Sequence, residues 1–196
     1  MTVGEPVWEL ATRFPSQGRW SEQEYLAFEA EHPRIEFVDG SLDVLPMGTN
    51  RHQAALEAIL LFLKAYGRPT RGVARVAGGR LRLRPGVIRE PDVMYLRGER
   101  REHITEAWWT HADLVVEVVS PGALNEVRDR VTKRREYAEA RIPEYWIVDT
   151  ESETLTVLAL GAEGYEERAV LGRGETLVSA RLEGFSASVD EVFDAE

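Results

Sequence analysis

EPDVMYL (residues 90–96), ADLVVEVVSPG (112–122) and NEVRDRVTKRREY (125–137) decide how this chain folds. The second is a nearly continuous β-branched apolar run, the pattern of a strand covered on both faces. Each strand-like segment carries one acidic residue against its pattern, Asp92 and Glu117. A carboxylate within a buried run is costly unless something compensates it. A divalent cation shared with a second carboxylate would do so; so would an arginine partner, or a strand that dips to solvent at that position. The third segment reads as a helix, entered through the turn Ser120-Pro121-Gly122, starting near Asn125 and stopped by Pro143. Val127, Val131, Tyr137 and Ala138 are its apolar residues. Asp129, Lys133 and Tyr137 stand at i, i+4 and i+8, hence along one face. Because a short turn ties this helix to the Glu117 strand, it must pack back on the sheet. Its polar face can then lie over the strand ends that bear Asp92 and Glu117. The plainer alternative is a surface ion pair between Asp129 and Lys133.

Outward from this stretch, EYWIVD (144–149) is another strand of buried character. The tail segments TLTVLAL, GYEERAV and ETLVSARLEGFSA read as antiparallel strands, and VDEVFDAE as a short terminal helix. On the other side, RGERREHITE (97–106) is a loop with a helical turn, leading to Trp108-Trp109 as core filler. Strands are expected near 73–77 and 80–84, the second placing Arg82 and Arg84 on one side as a solvated face or a phosphate-reading surface. A helix from Thr49 or Asn50 to Gly67 carries His52, Leu56, Ile59, Leu60 and Leu63 near one stripe. His52 could touch a ligand or serve as a structural hydrogen-bonder. Asp39-Gly40 between alternating runs signals a hairpin of strands 34–38 and 41–46. Glu36 falls on the alternate face, the solvent face unless that face abuts the site. A helix should start at Ser21, in a capping-box spacing with Glu24, and run to Pro33. Residues 1–20 are expected to be a loosely held arm. The whole is a single α+β domain over residues 1–196, a mixed central sheet carrying helices.

Composition narrows the chemistry. There is no Cys, so any metal must take oxygen or imidazole ligands. The longest apolar run, Ala58–Leu63, is far short of a membrane span, and no signal pattern opens the chain. A soluble cytoplasmic protein without membrane partners is expected. The formal charge of −10 argues against a protein that simply coats nucleic acid. It leaves room for an enzyme that reaches DNA through a metal and a local basic surface, with Arg82, Arg84, Arg128 and Arg134 as its candidates. Only two of the 24 basic residues are lysines, Lys64 and Lys133. Arginine serves for surface charge, so a retained lysine hints at a need for a compact ammonium. Two carboxylates with a lysine suit metal-assisted phosphodiester hydrolysis.

EPDVMYL, DLVVEVVSPG, the Asp129-x-x-x-Lys133-x-x-x-Tyr137 helix and IPEYWIVD, in this order, resemble the Uma-two family of restriction-endonuclease-like proteins, within the PD-(D/E)XK nuclease superfamily. RIEFVDGSL is similar to the family's opening hairpin, and His52 falls where its members often carry a histidine. The resemblance implies a restriction-endonuclease-like fold with an N-terminal helix–hairpin and a C-terminal antiparallel extension. It implies that Pro91-Asp92 is the superfamily's PD and Glu117 its second acid, with the Val118 carbonyl also meeting the metal. The superfamily's lysine is expected two residues after that acid, where this chain has Val119. Lys133 matches the position at which the family carries its lysine, on the following helix. Glu36, His52, Asp129 and Tyr137 would support the site. The implied activity is a Mg²⁺-dependent (or Mn²⁺-dependent) endonuclease acting on duplex DNA as a homodimer. Two rivals stand beside it: a nuclease-like fold without cleavage activity that binds nucleic acid or protein, and a phosphodiesterase acting on RNA or a small substrate.

Overall fold

The apolar run at 114–118 becomes the strand in the middle of the main sheet. The computed structural model describes residues 15–29, 34–45, 48–76, 78–120 and 122–195. Strand β7 (Leu114–Val118) is buried at every position. It lies antiparallel to β6 (Val93–Leu96) and parallel to β8 (Glu144–Asp149), with Val116 opposite Val93 on one side and Trp146 on the other. β3 (Val73–Val76) closes one edge, while β9 (Thr154–Leu160) and β10 (Tyr165–Leu171) extend the other, giving the order β10-β9-β8-β7-β6-β3. Two-sided burial is why β6, β7 and β8 read as apolar runs rather than alternating ones.

The two faces carry separate cores. Val93, Tyr95, Val116, Val118, Trp146 and Val148 meet Ala55, Leu56, Ile59 and Leu63 of helix α2 (Asn50–Gly67). Thr49 caps that helix, its hydroxyl accepting from the His52 N–H at 3.2 Å. Burying each such Leu or Ile contributes about 1.5–3 kcal/mol. The same core takes in the C-terminal pair β11 (Thr176–Val178) and β12 (Ser186–Ser188) through Leu177 and Ala187. Val189 and Val192 of the last helix, at Val189–Phe193, complete it. On the opposite face Met94, Leu96, Val115, Val119, Tyr145 and Ile147 pack with Trp109, Tyr137 and Ile142. A 3₁₀ segment at Gly98–His103 supplies the helical turn in the preceding loop.

A second sheet, ordered β2-β1-β5-β4, stands beside the first. β1 (Ile35–Val38) and β2 (Ser41–Val44) form the hairpin, with Asp39 at φ 45° and Gly40 at φ 83°. Two successive positive φ angles are the demand that Asp-Gly meets best. A Cβ at Gly40 would also stand 2.7 Å from the Gly18 carbonyl oxygen. β4 (Leu81–Arg84) and β5 (Val87–Arg89) complete the sheet. The segments near 73–77 and 80–84 therefore do not pair with each other: β3 joins β6, and β4 joins β5, a strand of three residues too short to read in advance. Helix α1 (Glu22–Glu29) begins with the expected capping box, Ser21 N–H donating to Glu24 at 2.8 Å and Glu24 N–H to the Ser21 hydroxyl at 3.2 Å. Trp20, Tyr25, Ile35, Phe37 and Ile88 form a third, smaller core.

Of the arm expected over 1–20, residues 1–14 lie outside the described residues. Residues 15–20 are tied down: Gln17 exchanges two hydrogen bonds with the Leu42 backbone, and the Trp20 N–H donates to the Gly40 carbonyl. No helix among the described residues is long and apolar enough to cross a membrane.

Candidate active site

The helix after β7 is not a uniform α-helix. It runs as α3 (Ala123–Val127), then a π-helical segment at Arg128–Lys133, then α4 (Arg134–Glu139). π turns widen the helix by one residue and recur at functional sites. The Tyr145 hydroxyl braces this one from β8, donating to the Asp129 carbonyl at 2.9 Å. The segment inverts the usual pattern of helix burial: Val127 and Val131 are exposed, while Asp129, Lys133 and Tyr137 are buried. The packed stripe is made by the polar face with Tyr137, and Val127 and Val131 lie outside it.

β6 and β7 are in register with Val93 opposite Val116 and Met94 opposite Val115. One further step places Asp92 across from Glu117. By strand alternation both lie on the face that meets α4, the side of Val115 and Val119. Asp92 Oδ2 accepts the Val118 N–H at 2.8 Å, which fixes its carboxylate at the mouth of the strand pair. Glu117 Oε1 accepts from the Tyr137 hydroxyl at 2.6 Å and from Lys133 Nζ at 2.9 Å. Lys133 Nζ lies 3.0 Å from Glu36 Oε1 and 3.9 Å from Asp129 Oδ1. The ammonium therefore joins three carboxylates drawn from β1, β7 and its own helix.

Glu36 is not on a solvent face, contrary to the ordinary reading of its alternation. It is fully buried, because the side of the hairpin away from Ile35 and Phe37 faces the helix that carries Lys133. Its second partner was not foreseen. Arg89, at the end of β5, binds Glu36 at 2.8 Å and grips Glu136 with two bonds of 2.8 and 2.9 Å. Glu90 N–H also donates to Glu36, at 3.1 Å. The only sequence signal for Arg89 was a basic residue closing a very short apolar strand just before Pro91-Asp92.

His52, in the first turn of α2, brings its Nε2 within 3.3 Å of Asp92 Oδ1. The contact is outside hydrogen-bonding geometry, and neither ring nitrogen has a hydrogen-bond partner among the described residues. The surrounding cleft, which also takes in Ser120 and Arg128, holds about 20 Å³ of free space, room for one water or one small cation.

Charge in this cluster is unevenly compensated. Burial drives the Glu117 carboxyl up to about 8; Lys133 opposes this, and Asp92, Asp129 and Glu36 add to it. Burial also lifts Asp129, against Lys133 and Arg128. For Glu36 burial acts in the same sense, but Lys133 and Arg89 outweigh it and hold the carboxyl below its usual range. Burial would discharge Lys133, yet its carboxylate neighbours hold the ammonium charged. Tyr137 stays a phenol, kept so by burial and by Glu117, and so retains the proton it donates to that carboxylate.

The donor set fits a hard cation: two facing carboxylates with surplus negative charge beside a strand-end carbonyl, all oxygen. Among the described residues no three His, Asp or Glu side chains converge as a ready-made ligand cluster.

The basic rim expected from sequence does not form as expected. Arg84 binds Asp39 with two bonds of 2.8 Å, and Arg82 lies 3.0 Å from Glu22 with its guanidinium 4.9 Å from the Trp108 ring. Arg134 donates to the Tyr165 carbonyl. Of these four, Arg128, 3.2 Å from Asp129, lines the cleft, and Arg34, which was not among them, lines it too.

Comparison with known proteins adds the lineage. The family model Uma2, described as "Putative restriction endonuclease", matches residues 22–190. The chain belongs to the Uma2 family. Among solved structures it is similar to one described as a "putative nuclease belonging to DUF820" from Anabaena variabilis ATCC 29413. That likeness has a TM-score of 0.68 at 17% identity and covers 92% of this Uma2 chain and 98% of the other, which shows a shared fold. No curated protein matches.

Proposed function

We propose that this Uma2 chain is a Mg²⁺-dependent endonuclease that hydrolyses phosphodiester bonds of duplex DNA. The observation that carries the reading is the buried Lys133 ammonium, 2.9 Å from Glu117 on the strand that faces Asp92. In the PD-(D/E)XK superfamily pattern a lysine two residues after the second acid does this work. Here that position is Val119, packed in the core.

Asp92, Glu117 and the Val118 carbonyl would hold the cation, which when bound polarises the scissile phosphate and lowers the pKa of a water. Lys133 supplies positive charge where negative charge develops on the phosphate, an interaction stronger in the transition state than in the ground state. Glu36 and Tyr137 are positioning residues: the first holds the ammonium, the second aims the Glu117 carboxylate. His52 stands against the outer oxygen of Asp92. Cutting both strands of a duplex calls for two such centres, so we propose a homodimer, testable by sedimentation.

One observation favours a second reading, a nuclease-like fold that binds without cleaving: Glu117 Oε1 is already held by both Lys133 and Tyr137. Incubation of supercoiled plasmid with Mg²⁺ separates the two. The endonuclease reading expects nicked and linear products that vanish with chelator and in Asp92→Asn, whose side-chain oxygen can still accept the Val118 N–H. DNA that is bound but never cut, with any divalent ion, establishes the second reading.

A further inference from the structure

We propose that a cleft at the far end of the main sheet is a binding site for a phosphate group. β6 leads from Asp92 to Arg97, so at about 3.3 Å per residue the cleft lies roughly 17 Å from the carboxylate centre. It has a volume of about 410 Å³ and is lined by Arg97, Arg100, His111, Arg141 and Arg181, with Asp113 as the one carboxylate among its lining residues. This proposal does not rest on the nuclease reading.

Elsewhere on this acidic chain many arginines answer carboxylates: Arg82 with Glu22, Arg84 with Asp39, Arg130 with Asp149, Arg173 with Glu153. In the cleft only Arg100 does, with Asp113. Among the described residues Arg97, Arg141 and Arg181 have no carboxylate within ion-pair range. Arg97 donates to the Arg181 carbonyl and Arg181 to the Leu160 carbonyl, bonds that orient the guanidinium groups without neutralising them. Asp113 is already engaged, 3.1 Å from Arg100 and accepting the Arg97 N–H at 2.8 Å. Arg100 Nη1 also lies 3.0 Å from His111 Nε2. Because a guanidinium cannot accept, that nitrogen of His111 must be the acceptor. Four guanidinium groups around one spoken-for carboxylate repel each other. A tetrahedral oxyanion matches their planar forks and relieves that repulsion.

Arg141 offers the cleanest test. It sits at φ 61° just after α4, where its N–H donates to the Ala138 carbonyl and the Ile142 N–H to the Tyr137 carbonyl. This is a helix stop that glycine makes without strain and other residues make at a cost. Yet the Arg141 guanidinium makes no hydrogen bond or ion pair among the described residues. Glycine would serve the backbone better here, so Arg141→Gly removes the guanidinium without cost to the fold.

The phosphate could be free or the terminal group of a nucleic acid, and calorimetry on the full chain distinguishes them. One arm titrates inorganic phosphate; the other compares a short DNA strand with a 5′-phosphate against the same strand with a 5′-hydroxyl. Arg141→Gly should bind phosphate about tenfold more weakly, the loss of one charge-assisted contact, while melting at or above the wild-type temperature. Arg135→Ala, whose partner is Glu139 on the same helix, should bind as wild type. Binding in Arg141→Gly equal to wild type overturns the proposal. So does the absence of both phosphate binding and a preference for the 5′-phosphorylated strand.

Discussion

Arg89→Met tests how the buried charges hold the centre together. The Arg89 side chain is 3% exposed and bridges Glu36 at 2.8 Å to Glu136 at 2.8 Å. Without it, Glu36 keeps only Lys133 at 3.0 Å and the Glu90 N–H at 3.1 Å, while remaining fully buried. Breaking a buried pair by removing one partner costs about 3–5 kcal/mol, because the remaining charge is uncompensated. In a chain of this size each kcal/mol moves Tm by roughly 2–4 °C, so a fall of roughly 6–20 °C is expected. Urea unfolding should show the same loss as a lower midpoint at unchanged slope. Adding Glu36→Gln removes the orphaned carboxylate and should return part of the loss, with a coupling of about 1–3 kcal/mol between the two changes. A loss below about 1 kcal/mol for Arg89→Met, the range of an exposed pair, would refute the reasoning.

Two further outcomes follow from single contacts. Tyr137→Phe removes the 2.6 Å bond to Glu117 and, above a pH of about 8 where that carboxyl is ionised, should lower stability by about 1.5–3 kcal/mol, as for a hydrogen bond to a charged group; a thermal melt there indistinguishable from wild type would contradict that. Burial tends to raise the Asp149 carboxyl, but the Ser152 and Glu151 N–H groups and Arg130 outweigh it and hold it below 3.8. Its contribution is therefore present above that ordinary value and lost as pH falls through the lower folded value. The stability gap between wild type and Asp149→Asn should accordingly shrink in acid, and a gap independent of pH between neutral and strongly acidic buffer would exclude this role.

The centre of the fold was legible because β6, β7 and β8 are buried on both faces and are written as apolar runs, while Asp39-Gly40 states its own turn. Glu36 was not legible. Alternation separates the two faces of β1 but does not say what covers the second, and that cover is a helix about a hundred residues away. The π-helical segment left no trace either: an i, i+4 spacing reads alike in a regular helix. Arginine pairing was hidden for the same reason of distance, since Arg84 meets Asp39 and Arg89 meets Glu36 across long stretches of chain. Arg82 and Arg84 could be placed on one side of a strand, but not beside the carboxylates that occupy them.

The central claim is that Lys133 does what Val119 cannot. Single-turnover cleavage of plasmid DNA with Mg²⁺, comparing wild type with Lys133→Met, tests it most directly. Lys133 is buried between Glu36 and Glu117, so the variant will be less stable, and circular dichroism must confirm its fold at the assay temperature. Lys64→Met, on exposed helix surface, is the control and should cut at the wild-type rate. The account predicts a rate for Lys133→Met lower by about a hundredfold or more, with DNA still bound. A folded Lys133→Met that cuts as fast as wild type would contradict it.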